Sequence, residues 1–164
     1  MKVIVAIILY IVFWGICYVS TGTDEKNMKG FRSYPDEVQK KIRENKVLRS
    51  LAPNKVSIPM IFISNLLTFV VLFSIIGILL KNVLGISDYL SAFLYFLLVG
   101  EGLNLFDLVV IDLLWWRNDK RIRFSFIPEK EMYQNPQKHI YAFLRGIPTF
   151  AIVAVVVAWI VNLI

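Results

Sequence analysis

The sequence predicts an all-α fold, a polytopic membrane protein built as a four-transmembrane-helix bundle with a short cytoplasmic helix in the first loop. Three observations predict it. The chain has 164 residues, 57% of them hydrophobic, where soluble domains hold about 45–50% apolar residues. The apolar residues gather into four runs, 3–20, 58–80, 88–116 and 140–164, and a span needs roughly 20 such residues to cross about 30 Å of hydrocarbon. The basic residues gather in two of the three connections. What lies outside the runs is too short for a separate soluble domain, so residues 1–164 are expected to form a single membrane domain.

The first run follows Lys2 and lacks a small-x-small cleavage pattern before Ser20, which favours a retained helix over a cleaved leader. It holds the one cysteine, Cys17. A single cysteine excludes an internal disulfide and a cysteine-based metal cluster. It is expected to pack as a small apolar residue.

The first loop, 21–57, carries nine Lys and Arg residues, Lys55 the last of them. Within "SYPDEVQKKIREN", Pro35 suits a first helical position, and Asp36 and Glu37 suit the positive end of a helix dipole. A short helix is expected from about 35 to 48. Val38, Ile42 and Leu48 form a loose stripe, which leaves two placements open, on anionic headgroups or in solvent.

The connection 81–87 is short, so the second and third runs must be antiparallel neighbours. Ser87 or Asp88 suits the cap of the third helix. With Leu80 level with Asp88, Glu101 falls near Leu67, beside Thr68 and Asn65, and Asn104 falls near Ser64. The register therefore predicts that Glu101 faces Asn65 and Thr68 across a small polar cavity, with Ser74 as a further partner.

"LLVGEGLNLFDLVVIDLLWW" places Glu101, Asn104, Asp107 and Asp112 on the third span. At about 100° per residue, Asp112 lies some 20° from Glu101, Asn104 about 60° to one side, and Asp107 about 120° away at the margin. Lipid does not solvate such a stripe, so it is expected to face the bundle. Glu101, Asn104, Asp107, Asn65 and Thr68 are the candidates for a ligand or proton site. Gly100 and Gly102 would let another backbone approach Glu101, or let the helix loosen beside it. Asp112 lies a turn from Trp115, Trp116 and Arg117, which mark the interface. Arg145 is expected to form a structural ion pair with Asp112, or to reach Asp107 instead.

The third loop, 117–139, carries six Lys and Arg residues against one, Lys81, in the second. Basic short loops stay in the cytoplasm, which puts both termini outside a plasma membrane. Arg117, Arg121 and Arg123 are expected to contact anionic lipid headgroups. "RIRFSFIP" alternates with period two and reads as an extended segment touching membrane or bundle. Asn135 and Pro136 suit the N-cap and first position of the last helix. His139 reads as an exposed interfacial residue, and Pro148 should kink the helix.

"FDLVVIDLLWW" followed by "NPQKHIYAFLRGIP" resembles a group of small bacterial four-helix integral membrane proteins without an assigned activity. The resemblance covers roughly the last 70 residues and implies a plasma-membrane protein. "EGLNLFDLVVID" is also similar to a motif of the small prokaryotic diacylglycerol kinases, which hold magnesium–ATP. Glu101, Asn104 and Asp112 match three of that motif's positions. Asp107 stands one residue early, about 100° off the face a metal site requires.

Three function classes compete. The first is an accessory, regulatory or assembly module without its own catalysis. The second is a proton- or cation-coupled transporter component acting as an oligomer. The third is a membrane-embedded enzyme acting on a lipid or lipid phosphate. No phosphate loop and no nucleophile–base motif is present, and neither cofactor nor metal is expected. The expected partners are a bilayer with anionic headgroups and a membrane protein partner or a second copy. Basic residues flanking spans do not indicate nucleic acid.

Overall fold

The computed structural model describes residues 1–50, 52 and 57–164, so Lys55 lies outside the described residues. The fold is all-α, with 81% helix and no strand among the described residues. Among the described residues, four helices are long and apolar enough to cross a membrane. They are α1 (Lys2–Val19), α5 (Ile58–Leu84), α6 (Tyr89–Phe106) with its continuation, and α7 (Gln137–Leu163). Between α1 and α5 lie α2 (Asp24–Lys29), α3 (Asp36–Glu44) and α4 (Lys46–Arg49). Beyond Phe106 the third long helix continues from Asp107 to Trp116 as a π-helix.

The turn between α5 and α6 follows from its sequence. Gly85 ends α5 at φ +60°, a left-handed position open to glycine. Its N–H donates to the Asn82 carbonyl, and the Ile86 N–H to that of Lys81. Asp88 then caps α6, accepting from the Ser91 N–H at 2.9 Å. The last long helix begins at Gln137, one residue later than expected, with Asn135 Oδ1 accepting from the Gln137 N–H at 3.0 Å.

The chain divides into two compact units. The first comprises Met1–Tyr10, Val56–Leu105 and Leu144–Ile164. Its core is aromatic at one end and small at the other. The rings of Phe73 and Phe96 lie 5.7 Å apart, and those of Phe69 and Phe150 lie 4.7 Å apart. Phe73 meeting Phe96 satisfies the predicted antiparallel register. On α7, Phe150, Val153, Ala154, Val157, Ala158 and Val161 are all buried, a stripe at helical spacing. Gly77 lies so close to Val161 and Phe96 that a methyl group would overlap both.

The second unit comprises Ile11–Lys55 and Phe106–Phe143. The two basic loops build it together. Met28, Phe31, Tyr34, Val38, Ile42 and Leu48 from the first loop bury with Ile122, Phe124, Ile127 and Tyr133 from the third, around Trp116. The α3 stripe thus packs against protein, neither on headgroups nor in solvent. The alternating segment 121–128 buries Ile122, Phe124 and Ile127 in the same core without forming a strand. Asn27, 2% exposed, ties the loops by donating to the carbonyls of Arg121 and Ile122, each at 3.1 Å.

Candidate functional site

The polar residues of the third span fall into two places, one in each unit. In the first unit, Glu101 is half-buried and its carboxylate accepts a hydrogen bond from Asn104. Asn104 is buried against Gly146 of α7, where a methyl group would collide with its amide. The two glycines beside Glu101 make room for side chains. Phe150 packs on Gly100, and the Tyr10 hydroxyl sits on Gly102 while donating to the Val99 carbonyl at 3.0 Å.

Asn65 and Thr68 lie elsewhere. Both are exposed on α5, and the Thr68 hydroxyl donates to the Ser64 carbonyl of its own helix at 2.8 Å. The depth register held, but the facing did not. α5 turns Phe73, Ser74 and Gly77 inward, because aromatic packing and the close approach at Gly77 bury more surface than a polar contact offers. Ser74 is buried, and its hydroxyl has no hydrogen-bond partner among the described residues.

In the second unit, the π-helix resets the geometry of Asp107 and Asp112. Its repeat is i→i+5, seen where the Arg117 N–H donates to the Asp112 carbonyl. Residues five apart therefore stand one turn above another. Asp107, Asp112 and Arg117 fall on one face, where an α-helical wheel separates the two acids by about 140°. Each carboxylate lies in the field of the other, and Cys17 of α1 lies in the field of both.

Asp112 is paired, but with His139. His139 Nδ1 lies 2.9 Å from Asp112 Oδ2, and the two side chains are 4% and 14% exposed. Arg145, the partner expected from sequence, is exposed on α7. Its extra turn and a half into the helix carries it past the depth at which His139 enters. His139 is thus buried and paired, not interfacial. Its ring stands edge-on to Trp116 with centroids 4.8 Å apart. Its Nε2 is buried and has no hydrogen-bond partner among the described residues. Trp116 in turn packs on Tyr34 at 4.6 Å and Tyr133 at 6.4 Å, inside the loop core.

Two of the three arginines expected at headgroups have partners within the chain. Arg121 donates to the Thr21 and Tyr18 carbonyls at 2.9 and 3.2 Å, and its guanidinium stacks on the Tyr18 ring. Arg123 donates to the Pro128 and Asn118 carbonyls. These contacts order the loops. Arg117 is half-buried at the end of the acidic face, its Nε unpaired among the described residues. No group of three or more His, Cys, Asp or Glu that could hold a metal occurs among the described residues.

The chain matches no known family, no curated protein and no solved structure.

Proposed function

We propose that this protein is a multi-pass plasma-membrane module of accessory or regulatory kind, without catalysis of its own, that responds to protonation. In this reading the four long apolar helices cross the bilayer. The two basic loops lie together in the cytoplasm, and both termini lie outside. The observation that carries the reading is the contact of His139 with Asp112, one π-turn from Asp107.

The chemistry is that of a proton switch. Two carboxylates on one face repel when both are ionised, and an imidazolium beside one of them offsets that repulsion. Histidine is the side chain whose ordinary charge change falls near neutral pH. His139 Nε2 is buried with no hydrogen-bond partner among the described residues. The ring touches Trp116, and Trp116 belongs to the core that both loops share. A change of charge at His139 therefore bears directly on the packing of the loop unit. Glu101 and Asn104, already hydrogen-bonded to each other, are secondary in this reading.

Two experiments test it. The chain has one histidine, so its imidazole NMR signals belong to His139 alone. Asp112→Asn should change those signals, and Asp119→Asn should leave them as they are. Signals insensitive to Asp112→Asn would defeat the switch. For orientation, a cysteine at position 82 should react with an impermeant reagent in intact cells, and one at position 46 should not; the reverse pattern defeats the topology.

A further inference from the structure

We infer that Asp107 is a second proton-binding residue of this site, held as the neutral acid one π-turn from an ionised Asp112, and that losing its proton favours a protonated His139. The inference rests on two parts of the reading above, the proton switch and the helix as a membrane span.

The two acids share a face but differ in company. Asp112 Oδ2 meets His139 Nδ1 at 2.9 Å, and a hydrogen bond to the charged form stabilises a carboxylate. Asp107 has no such contact. Among the described residues, neither a hydrogen bond nor an ion pair reaches its carboxyl group.

The elements packed around the face bring Asp107 no cation. From α1 comes Cys17, a thiol lying in the field of both acids. From α7 comes His139, already engaged by Asp112. On the same helix, Arg117 follows Asp112 at the far end of the face, two π-turns from Asp107. The charge whose field Asp107 feels is that of Asp112.

Two like charges one turn apart disfavour each other. Hydrocarbon does not hydrate the part of Asp107 that protein leaves uncovered. The acid without a partner therefore takes the proton, and the acid with one keeps its charge. The winding matters here, because an α-helix would turn the two carboxyls about 140° apart. The i→i+5 repeat stacks them and makes their titration a coupled event. While Asp107 is neutral, His139 faces one negative charge. When Asp107 ionises, a second negative charge appears one turn away and favours the imidazolium.

Infrared spectroscopy of the full chain in lipid, with aspartate carboxyls carbon-13 labelled, reads the neutral acid directly. An isotope-shifted carboxylic-acid band should be present at neutral pH and lost in Asp107→Asn. The label sets Glu101 aside, since only aspartate bands shift. Thermal unfolding in lipid then separates the two acids. An amide imitates a neutral acid and does not replace a carboxylate. Asp107→Asn should therefore leave the midpoint unchanged, whereas Asp112→Asn should lower it. No isotope-shifted acid band, a band that survives Asp107→Asn, or an Asp107→Asn midpoint lowered as far as that of Asp112→Asn overturns the proposal. The His139 imidazole signals keep the two failures apart. Signals that respond to Asp112→Asn, with no acid band, refute this inference alone, whereas signals that ignore Asp112→Asn refute the switch beneath it.

Discussion

His139 and Asp112 meet at 2.9 Å between side chains that are nearly excluded from solvent. Removing one member leaves the other buried and uncompensated, at a cost of about 3–5 kcal/mol for pairs of this kind. Asp112→Ala and His139→Ala should therefore each lower the midpoint of thermal unfolding in detergent. The double variant should cost less than the sum of the two. Additive losses would show that the two side chains do not interact.

Asn27 joins the two loops through the Arg121 and Ile122 carbonyls, and the Tyr34 hydroxyl shares the second of them. Asn27→Ala removes its amide from the Arg121 and Ile122 carbonyls; the Ile122 carbonyl keeps the Tyr34 hydroxyl, and each lost hydrogen bond costs about 0.5–1.5 kcal/mol. Limited proteolysis should then cut the loop unit faster while α5 stays protected. Cleavage at the wild-type rate would contradict the shared core.

Tyr34 gives the loop unit an alkaline limit. Burial, with smaller contributions from Tyr133 and Asp24, pushes its phenol above the ordinary tyrosine range. The hydroxyl donates to the Ile122 carbonyl at 2.7 Å. Because the folded state holds this proton more tightly than the unfolded chain, the stability it contributes is full below the ordinary range, near about pH 10. It is lost as pH rises beyond that. Tyr34→Phe should cost about 1 kcal/mol at neutral pH and flatten the alkaline loss, read by unfolding monitored at several pH values.

Asp88 works in the opposite direction. The Ser91 N–H, then the Ser87 hydroxyl, hold its carboxyl below the ordinary range. Its contribution is therefore present above that range and disappears as pH falls through the lowered value. Asp88→Ala should reduce stability at neutral pH and remove this acid-side slope. Asp88→Asn, which keeps a cap but not a titrating group, should remove the slope while costing less.

Much of the fold was legible in the sequence because its signals are local. Run length gave the four long helices, the short connection and Asp88 gave the turn into α6, and Asn135 marked the start of α7. The antiparallel register was legible too, because a short connection fixes depth. It does not fix rotation, which is why Asn65 and Thr68 were placed opposite Glu101. Rotation depends on which face packs best, and here Phe73 and Gly77 decide it. The loop core was hidden because its members, such as Val38 and Phe124, lie far apart in sequence and are sparse within each loop.

The candidate site was half legible. The acids were found from their polarity alone, and Glu101–Asn104 follows from their spacing. The pairing of Asp107 with Asp112 was not visible, because no residue pattern announced the change from α to π winding at Asp107. His139 was passed over because it begins a helix beside Lys138, where histidines are usually exposed. Its depth was the available signal, since it enters the last helix on the same side as Trp115 and Trp116.

The central claim is that protonation at the His139–Asp112 pair is felt by the loop unit through Trp116. Hydrogen exchange of residues 120–134 in lipid nanodiscs at several pH values, corrected for the intrinsic pH dependence of exchange, measures this most directly. The account predicts that protection in this segment changes with pH in the wild type and that His139→Gln and Asp112→Asn both abolish the change. The same corrected profile in all three proteins would contradict it.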